Sequence, residues 1–458
     1  MEAMMTPTPT PTPTVTVGVW RDSEPRLIRT LSGPENLDSY REDGGYAGLT
    51  DPTGLPDPAD FLAVVDESGL LGRGGAAFPL AVKLKAVRGA CGPGIRPVVV
   101  ANGEEGEPAS VKDRWLLRNR PHLVLDGLRL AARAVDADQA YLYVSDPTAA
   151  HTARAALEEL RRAVFDAGAA VDVAVPIEVV TVTPSYVAGE ETAAVRVLNG
   201  GPAKPSDKPP RPFESGVAGR PTLVSNVETL ANLPFLHRHG SIAYRSLGTS
   251  SSPGTFLATV NSVGRPAGLY ELPYGLPFTD LLALHGVSPD DLHGALLGGY
   301  FAGLMNRQVL DLTLDHETLR RLDAGLGCGA ISLLGADDCP VAVAASVLAY
   351  FDRENAGQCG SCFNGTAAMS AVTHALQEGA AEQSDVDRLA RWSVVLRGRG
   401  ACGTLDGAAN VAASLLREFP EIVERHLTTR SGATRCEPCA GTPFQSGRPF
   451  EVEKAVLA

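Results

Sequence analysis

A short glycine-rich run, Gly72 to Phe78, constrains this chain more than any other stretch. Its sequence is Gly-Arg-Gly-Gly-Ala-Ala-Phe, and residues this small let backbone N–H groups approach a phosphate or a flat ring. Arg73 adds a planar fork of donors. Similar glycine-rich runs also form ordinary turns. The apolar periodicity of residues 61–71 and 79–87 predicts a helix on each side of this loop. The run therefore predicts a nucleotide or flavin loop that, unlike a Rossmann loop, does not follow a strand.

Three further motifs come later in the chain and carry polar groups that such a loop lacks. They are Asn-Gly-Glu-Glu-Gly-Glu-Pro at 102–108 with Lys-Asp-Arg at 112–114, Tyr-Val-Ala-Gly-Glu-Glu-Thr-Ala at 186–193, and Pro-Thr-Leu-Val-Ser-Asn-Val-Glu-Thr-Leu-Ala-Asn at 221–232. The first follows a predicted buried strand, and its carboxylates Glu104, Glu105 and Glu107 repel one another. They are either solvated or accept hydrogen bonds from ligand hydroxyls.

Together the four motifs resemble the flavin-carrying, NADH-oxidising 51 kDa (F) subunit of respiratory complex I and its relatives in soluble hydrogenases and formate dehydrogenases. The resemblance extends from about residue 55 to about residue 425. It implies an α/β flavin–NADH domain, a ubiquitin-like β-grasp domain and a C-terminal helical iron–sulfur domain. The implied division is an unfolded Thr/Pro tail with a docked arm at 1–50, the FMN/NADH-binding α/β domain at 51–245, the β-grasp domain at 246–335, and the helical iron–sulfur domain with a C-terminal extension at 336–458.

The resemblance also implies a role for each matching residue. Flavin contacts are expected from Gly72, Arg73, Gly74, Lys83, Asn102, Ser225 and Asn226. The positions around the flavin and the nicotinamide ribose or ring are Glu104, Glu105, Glu107, Tyr186, Glu190, Glu191 and Lys208, and the cofactor-binding set further includes Gly75, Phe78 and Gly189. Glu190 and Glu191 are the expected catalytic residues, which tune NADH affinity and help to expel NAD⁺.

The expected adenine clamp departs from the family pattern. Phe78 remains, but Ala86 stands where the family has a second aromatic residue, and Arg211 replaces a phenylalanine. Arg211 either stacks through its guanidinium, pairs with the 2′-phosphate of NADPH, or faces solvent. The carboxylates of the acidic loop would repel an extra phosphate, so NADH is the expected substrate.

The cysteines of the C-terminal part form an incomplete iron–sulfur motif. The family has Cys-x2-Cys-x2-Cys with a fourth cysteine roughly 40 residues on, and the residues here are Ala356, Cys359, Cys362 and Cys402. The three thiolates Cys359, Cys362 and Cys402 are the expected metal ligands of a 4Fe-4S cluster. Either Cys436 or Cys439 supplies the fourth thiolate, or the cluster has an open iron or a 3Fe-4S form, or the site is empty. Cys328 and Cys339, each isolated in the sequence, are expected to be buried structural thiols.

The net charge and the amino-acid composition limit the compartment and the kinds of partner that we expect for this protein. The net charge of −13 argues against nucleic acid as a partner. No apolar run approaches the length of a membrane span. Eight cysteines in an acidic chain fit a reducing compartment. We therefore expect a cytoplasmic protein that reaches a membrane complex, if at all, through partners.

The function implied by the resemblance is hydride transfer from NADH to FMN, followed by single-electron transfer through the iron–sulfur cluster to a protein acceptor. A ferredoxin or a companion electron-transfer subunit would be that acceptor. Two alternatives stay open at this point. One is a diverged, non-catalytic ligand-binding or assembly subunit, and the other is the flavin subunit of a soluble hydrogenase, formate dehydrogenase or electron-bifurcating complex.

Overall fold

The computed structural model describes residues 15–21, 23–29, 33–47, 57–166, 175–262 and 265–427, together with Cys436 and Cys439. Most of the predicted Thr/Pro tail lies outside the described residues. Within them the strands are β1 (Thr16–Val19), β2 (Val98–Asn102), β3 (Gln139–Val144), β4 (Ile177–Thr181), β5 (Thr222–Asn226), β6 (Thr255–Asn261), β7 (Gly268–Pro273), β8 (Leu276–Pro277), β9 (Leu292–Leu297), β10 (Gly303–Asn306), β11 (Thr313–Leu314) and β12 (Ala330–Gly335).

The helices, in the same described ranges, are α1 (Leu37–Glu42), α2 (Pro58–Ser68), α3 (Leu80–Ala90), α4 (Lys112–Asn119), α5 (Pro121–Val135), α6 (Pro147–Asp166), α7 (Glu191–Leu198), α8 (Val227–Ala231), α9 (Leu233–Tyr244), α10 (Phe278–His285), α11 (His316–Arg320), α12 (Pro340–Glu354), α13 (Gly360–Gln377), α14 (Gln383–Val395), α15 (Thr404–Glu418) and α16 (Pro420–Arg425). None of them is both long and apolar enough to cross a lipid bilayer.

The first layer is a parallel sheet of four strands in the order β4-β3-β2-β5. Successive side chains of a strand point to opposite faces. In β2, Val99 and Ala101 enter a core shared with α2, α3 and α5, whereas Val98 and Val100 enter a second core with α7. All four side chains are fully buried. A strand buried on both faces explains the uninterrupted apolar run, and it confirms the predicted α/β layering.

The strand order reverses beside β2. The chain passes from β2 to β3 and β4 on one side, and then returns to β5 on the other side of β2. The last residues of the two strands, Asn102 and Asn226, lie opposite each other in the register. The segments that leave these two strands lie side by side at the carboxyl edge of the sheet, which is where open α/β sheets bind ligands. We call this place the switch-point crevice.

The second layer is a mixed sheet in the order β1-β7-β6-β12-β9-β10. β6 and β12 are parallel, while the pairs β6–β7, β9–β12 and β9–β10 are antiparallel. One face packs on α10, and the other presents Leu296, Leu304 and Leu334 to the C-terminal helices. The predicted arm contributes the edge strand β1, which pairs in parallel with β7. No periodicity in the arm indicated this pairing.

Helices α12 to α16 form the third layer. α12 packs closely on α13 and α15, so the predicted helical character of this part is confirmed. α15 and α16 are separate helices, because Pro420 removes a backbone N–H and restricts Phe419 to a non-helical conformation. α14 was not expected from the sequence.

The close crossing of α5 and α8 gives a stability test. A Cβ added at Gly127 would lie 2.1 Å from the carbonyl oxygen of Leu230. Because that contact is with backbone, the helices must separate, and we expect Gly127→Ala to destabilise the protein by about 1–3 kcal/mol in thermal or urea unfolding.

Gly89 in α3 is the matched control, since a Cβ there meets nothing within 4 Å. Gly89→Ala should be neutral or stabilising by up to about 1 kcal/mol, because alanine is the better helix former. Equal behaviour of the two variants would contradict the close helix crossing.

Candidate functional site

The glycine loop projects into the switch-point crevice. Its base is closed by a β-bridge between Leu71 and Pro79. Next to this bridge the Gly72 N–H donates a hydrogen bond to the Phe78 carbonyl at 2.9 Å. A Cβ at Gly74 would lie 3.1 Å from the Cβ of Asn226, so the loop backbone comes close to the end of β5. The loop joins α2 to α3, which confirms the predicted helix-to-helix connection.

Two features of the loop suit a flat ligand. Gly75 has a φ of 122°, which side-chain-bearing residues rarely adopt, and open space lies where its Cβ would be. The Phe78 ring is about half exposed, with 47% of its surface accessible. The glycines thus leave room above the loop, and the exposed ring stands beside that room.

The side chain of Arg73 differs from its expected role. Its guanidinium is buried, donates to the Leu71 carbonyl at 2.7 Å and to the Tyr244 hydroxyl at 2.9 Å, and lies over the Tyr274 ring at 4.8 Å. It also donates to the Thr255 carbonyl at 2.9 Å. The fork of donors predicted for a ligand is therefore already occupied by protein acceptors. Arg73 instead joins the loop to the second sheet.

Beneath the crevice lies a buried ion cluster that was not predicted from the sequence. Lys112 Nζ is 2.7 Å from Asp113 Oδ1 and 2.9 Å from Glu228 Oε2, and all three side chains are at most 5% exposed. Asn226 Nδ2 donates to Asp113 Oδ2 at 2.7 Å, and this bond fixes the amide at the end of β5. The one sequence signal for this ion cluster was the Lys-Asp-Arg motif at 112–114. It indicated a functional role only because it follows the acidic loop.

Two of the three acidic-loop carboxylates bind protein groups. Glu105 accepts hydrogen bonds from the Ser110 hydroxyl at 2.6 Å and from Arg114 Nε at 3.0 Å, and it also accepts from the first backbone N–H groups of α4. Glu107 accepts from the Tyr300 N–H at 3.0 Å, which joins the loop to the second sheet. Burial raises the pKa of Glu107 to about 7. These contacts differ from the expected cofactor contacts.

Glu104 has no such partners. Both of its carboxyl oxygens are buried and neither makes a close hydrogen bond to a described residue, although the Ser185 backbone and the Ser145 hydroxyl lie near enough to offset part of the effect of burial on its pKa. Burial raises the pKa of Glu104 to about 8. A Cβ at Gly189 would lie 2.6 Å from Glu104 Oε2, so the next motif approaches this carboxyl group closely. Asn102 Nδ2 donates to the Gly189 carbonyl at 2.7 Å and completes the contact between the two motifs.

The two adjacent glutamates of the third motif have different environments. Glu190 caps α7, accepting from the Thr192 N–H at 2.7 Å, and pairs with Lys208 at 2.7 Å. Glu191 lies between two lysines, 3.4 Å from Lys83 Nζ and 3.8 Å from Lys208 Nζ, and its side chain is 28% exposed. Glu190 is thus held by the helix start, whereas Glu191 is the accessible carboxylate.

The remaining predicted residues lie around these groups. Lys83 Nζ also donates to the Val224 carbonyl at 3.1 Å, which places its ammonium beside the middle of β5. Ser225 is buried in β5, opposite Ala101 of β2. Tyr186 packs edge-on against Phe351 of α12, with ring centres 5.2 Å apart. Tyr186 therefore contacts the C-terminal helices, and its predicted contact with the cofactor stays a prediction.

Three cysteines surround a small cavity in the C-terminal layer. Cys359 and Cys362 lie at the start of α13, and Cys402 lies just before α15. The cavity is lined by these cysteines and by Pro205, Ala356, Gly357, Gln358, Gly400 and Ala401. Helix N-termini favour negative charge, which suits thiolates and an anionic cluster. Ala356 provides no ligand atom. We call this place the three-cysteine cavity.

The chain segment after the third motif touches this cavity directly. Lys204 Nζ donates to the Ala356 carbonyl at 2.8 Å, and Gln358 Nε2 donates to the Pro205 carbonyl at 2.8 Å. Residues 186–205, which we call the bridging segment, therefore extend from the crevice, through Glu190 and Glu191, to the cysteine loop. Motifs far apart in sequence form one continuous site.

The structure excludes one of the alternatives that the sequence left open for the fourth cluster ligand. Neither Cys436 nor Cys439 reaches the three-cysteine cavity, because both lie with Cys339 and His426, and the ligand atoms of these four residues are all within 4.8 Å of one another. Cys339 is buried as expected, but it is not an isolated thiol. The sequence did not indicate this group, because Cys339 precedes α12 whereas the other three residues follow α16.

Comparison with known proteins identifies the family. The Nuo51 FMN-binding domain matches residues 65–235, and the NADH-ubiquinone oxidoreductase-F iron-sulfur binding region matches residues 342–426. The F 2 subunit of the NADH-quinone oxidoreductase of Rhizobium meliloti is 31% identical over 424 residues, which cover 89% of this chain and 98% of that protein. The chain belongs to the F-subunit family of the NADH-quinone oxidoreductases. It is thus one of the NADH dehydrogenase flavoprotein subunits, with FMN-binding and iron–sulfur-binding domains.

Hydrogenase subunits are similar to this F-type flavoprotein to the same degree. The NADP-reducing hydrogenase subunit HndC of Solidesulfovibrio fructosivorans is 30% identical over 405 residues, 86% of this chain and 81% of that protein. A crystal structure of NAD⁺-reducing [NiFe]-hydrogenase in the H2-reduced state superposes with a TM-score of 0.76 at 30% identity, covering 87% of this chain and 67% of that chain.

The crevice of this F-type flavoprotein fits FMN. The glycine loop leaves open space at Gly75, where a Cβ would meet nothing within 4 Å, and Glu104 keeps two buried oxygens that make no close hydrogen bond to a described residue. Buried polar atoms are normally paired, so these two oxygens fit a ligand's hydroxyl groups. The three-cysteine cavity fits an iron–sulfur cluster only in part, because it offers three of the four thiolates that such clusters usually take.

The ion cluster below the crevice gives a second test. Lys112→Met would leave Asp113 and Glu228 buried without their cation, and we expect it to destabilise the protein by about 3–5 kcal/mol in urea unfolding. Lys85→Met is the control, because Lys85 pairs with Asp66 on the surface, with both side chains about half exposed. That change should cost about 0–1 kcal/mol. A Lys112→Met protein as stable as the control would show that the cluster does not support the crevice.

Proposed function

We propose that this protein transfers hydride from NADH to FMN and passes single electrons through an iron–sulfur cluster to a protein acceptor. The main support is that the bridging segment joins the switch-point crevice to the three-cysteine cavity through direct contacts. A site for a two-electron donor and a site for a one-electron carrier thus lie on one continuous piece of structure. On this proposal the motif residues form a working catalytic site and are not the remnant of one that has lost its activity.

The chain would hold FMN with groups already in place. The glycine loop would offer the backbone N–H groups of Gly74 and Gly75, Lys83 offers a cation beside β5, and Asn102, Ser225 and Asn226 lie at the carboxyl edge. FMN, when bound, supplies the hydride acceptor that releases electrons singly. Glu104 would accept hydrogen bonds from ligand hydroxyls when ionised and donate one when neutral.

Glu191 is the residue that we assign to the nicotinamide side. Its partial exposure allows it to contact a ligand, and its two lysine neighbours lie close enough to balance its charge. Lys83 and Lys208 also place positive charge where nucleotide phosphates approach. Glu190 would act as a positioning residue, because its carboxylate fixes the start of α7 and the position of Lys208.

The three-cysteine cavity would hold a cluster with one iron that no cysteine binds, or a three-iron cluster. No other cysteine, histidine or acidic side chain lines the part of this cavity that the structure describes. Gln358 is engaged by the Pro205 carbonyl and by Arg196, 3.0 Å from its oxygen. The missing thiolate at Ala356 is therefore not replaced from within the cavity.

The similarity to hydrogenase subunits favours a second candidate, the flavin subunit of a soluble hydrogenase-type complex. The acceptor would then be a companion electron-transfer subunit rather than a ferredoxin. HndC is named as NADP-reducing, and Arg211 is exposed here, so pairing with a 2′-phosphate is sterically open. NADH stays the expected substrate, because the Glu104 carboxylate would repel the extra charge when it is ionised.

The finer parts of the predicted architecture belong to this proposal. The order β7-β6-β12-β9-β10, with β6 and β12 parallel in the centre, supports the β-grasp interpretation of the second layer. The domain boundaries near residues 50, 245 and 335 stay predictions. So do a cytoplasmic location and attachment to a larger complex through partner subunits.

NADH oxidation by a Glu191 variant tests the catalytic proposal. Glu191→Gln should lower kcat/KM for NADH by about tenfold or more, because a charged contact near the nicotinamide is lost. FMN content, measured by absorbance after anaerobic purification with FMN, should be unchanged. Glu178→Gln, on an exposed position of β4, is the control.

Unchanged NADH oxidation in Glu191→Gln would favour the non-catalytic binding subunit. A wild-type protein that retains no FMN would refute the flavin site altogether.

Restoring the missing cysteine tests the cluster. Ala356→Cys should raise the iron content to about four per chain and make the cluster stable in air, because a fourth thiolate completes the ligand set. Ala356→Ser, similar in size but without a thiolate, should behave like the wild type. The measurements are iron content and EPR after reduction. A wild-type protein with four air-stable irons would contradict the three-ligand assignment.

A further inference from the structure

A second group of metal-ligand side chains lies outside both sites described above. Cys339, His426, Cys436 and Cys439 bring their ligand atoms within 4.8 Å of one another. We call them the Cys3His group. They come from three separate pieces of chain: the turn between β12 and α12, the residue after α16, and a Cys-x2-Cys pair beyond it. All eight cysteines are free, so none of these thiols is used in a disulfide.

The distances within the Cys3His group match tetrahedral coordination. His426 Nε2 lies 3.5 Å from the sulfur of Cys339 and 3.5 Å from the sulfur of Cys439. Zinc binds sulfur at about 2.3 Å and imidazole nitrogen at about 2.0 Å, so tetrahedral geometry separates the two ligands by about 3.5 Å. These two histidine–sulfur distances therefore match those expected around a central ion.

The histidine is oriented for metal binding. Its Nδ1 lies 2.7 Å from the Ile422 carbonyl oxygen, and a carbonyl can only accept, so Nδ1 carries the proton. The lone pair of Nε2 then points toward the sulfurs. This arrangement, in which the second ring nitrogen donates to a backbone carbonyl, is the usual outer contact of a metal-binding histidine.

The environment indicates a closed, structural site. Cys339, His426 and Cys439 are each at most 5% exposed, and Cys436 is partly buried. Cys339 also stands at the N-terminus of the 15-residue helix α12, which favours the negative charge of a thiolate-bound ion. Four protein ligands leave no open position for substrate, and Cys3His is a ligand set of structural zinc.

From these observations we propose that the Cys3His group binds one Zn²⁺ ion, which fastens the chain beyond α16 to the start of α12. The site is separate from the three-cysteine cavity, so the ion would not take part in electron transfer, and zinc has no redox chemistry in proteins. The bound ion would close a loop of chain from residue 339 to residue 439 and stabilise the C-terminal layer. Zinc binding here is independent of the function proposed above.

Metal analysis of the full-length protein tests this directly. The wild type, purified without chelator, should contain about one zinc per chain, and X-ray absorption at the zinc edge should show three sulfurs at about 2.3 Å and one nitrogen at about 2.0 Å. Cys436→Ser and Cys439→Ser should lose the zinc and melt at a lower temperature, while FMN and iron stay at wild-type levels. Cys91→Ser is the control, because Cys91 is a free cysteine outside both groups.

Two results would overturn the proposal. One is a purified protein that lacks zinc and takes up neither Zn²⁺ nor Co²⁺, and the other is a zinc edge with a different first shell. If the serine variants do not fold, Co²⁺ replacement in the wild type decides the question. Thiolate-to-cobalt charge-transfer bands support the site, and their absence refutes it.

Discussion

The carboxylate of Glu228 connects the parts of this protein. It binds Lys112 at 2.9 Å, accepts a hydrogen bond from the Leu257 N–H of β6 at 2.8 Å, and lies 3.9 Å from Arg73. Helix α4, which follows the acidic loop, the second sheet and the glycine loop therefore meet at one buried charge. Because an unpaired buried charge is costly, each element is held to the position that satisfies the others. The shape of the switch-point crevice depends on this group of contacts.

The acidic residues near the crevice divide into two kinds. Glu105, Glu107 and Glu190 are bound by backbone N–H groups and basic side chains, and they hold the loops in place. Glu104 and Glu191 keep capacity for a ligand, the first because its oxygens have no partner among the described residues and the second because it is partly exposed. The crowding of negative charge in the acidic loop is relieved because Glu105 pairs with Arg114, while burial raises the pKa of Glu104 to about 8 and that of Glu107 to about 7.

The C-terminal layer contains two cysteine groups with different chemical character. The three-cysteine cavity lies against the bridging segment and offers an incomplete ligand set. The Cys3His group lies at the other end of α12 and offers a complete one. An electron carrier benefits from proximity to the crevice, whereas a structural ion only needs to join chain segments. The absence of a cysteine at position 356 and the presence of Cys436 and Cys439 are therefore independent features of this chain.

The sequence by itself determined the family, the α/β layering and the motifs of the crevice. It could do so because these depend on local patterns: an apolar run buried on both faces, small residues in the glycine loop, and fixed spacings such as Cys359 to Cys362. Tertiary structure alone decided that Arg73 faces the protein and that Glu104 keeps its oxygens free of the described protein groups. It also decided that Cys339 joins a group completed by residues 426, 436 and 439. Those outcomes depend on which distant side chains meet in three dimensions, and no periodicity of a single chain records such contacts.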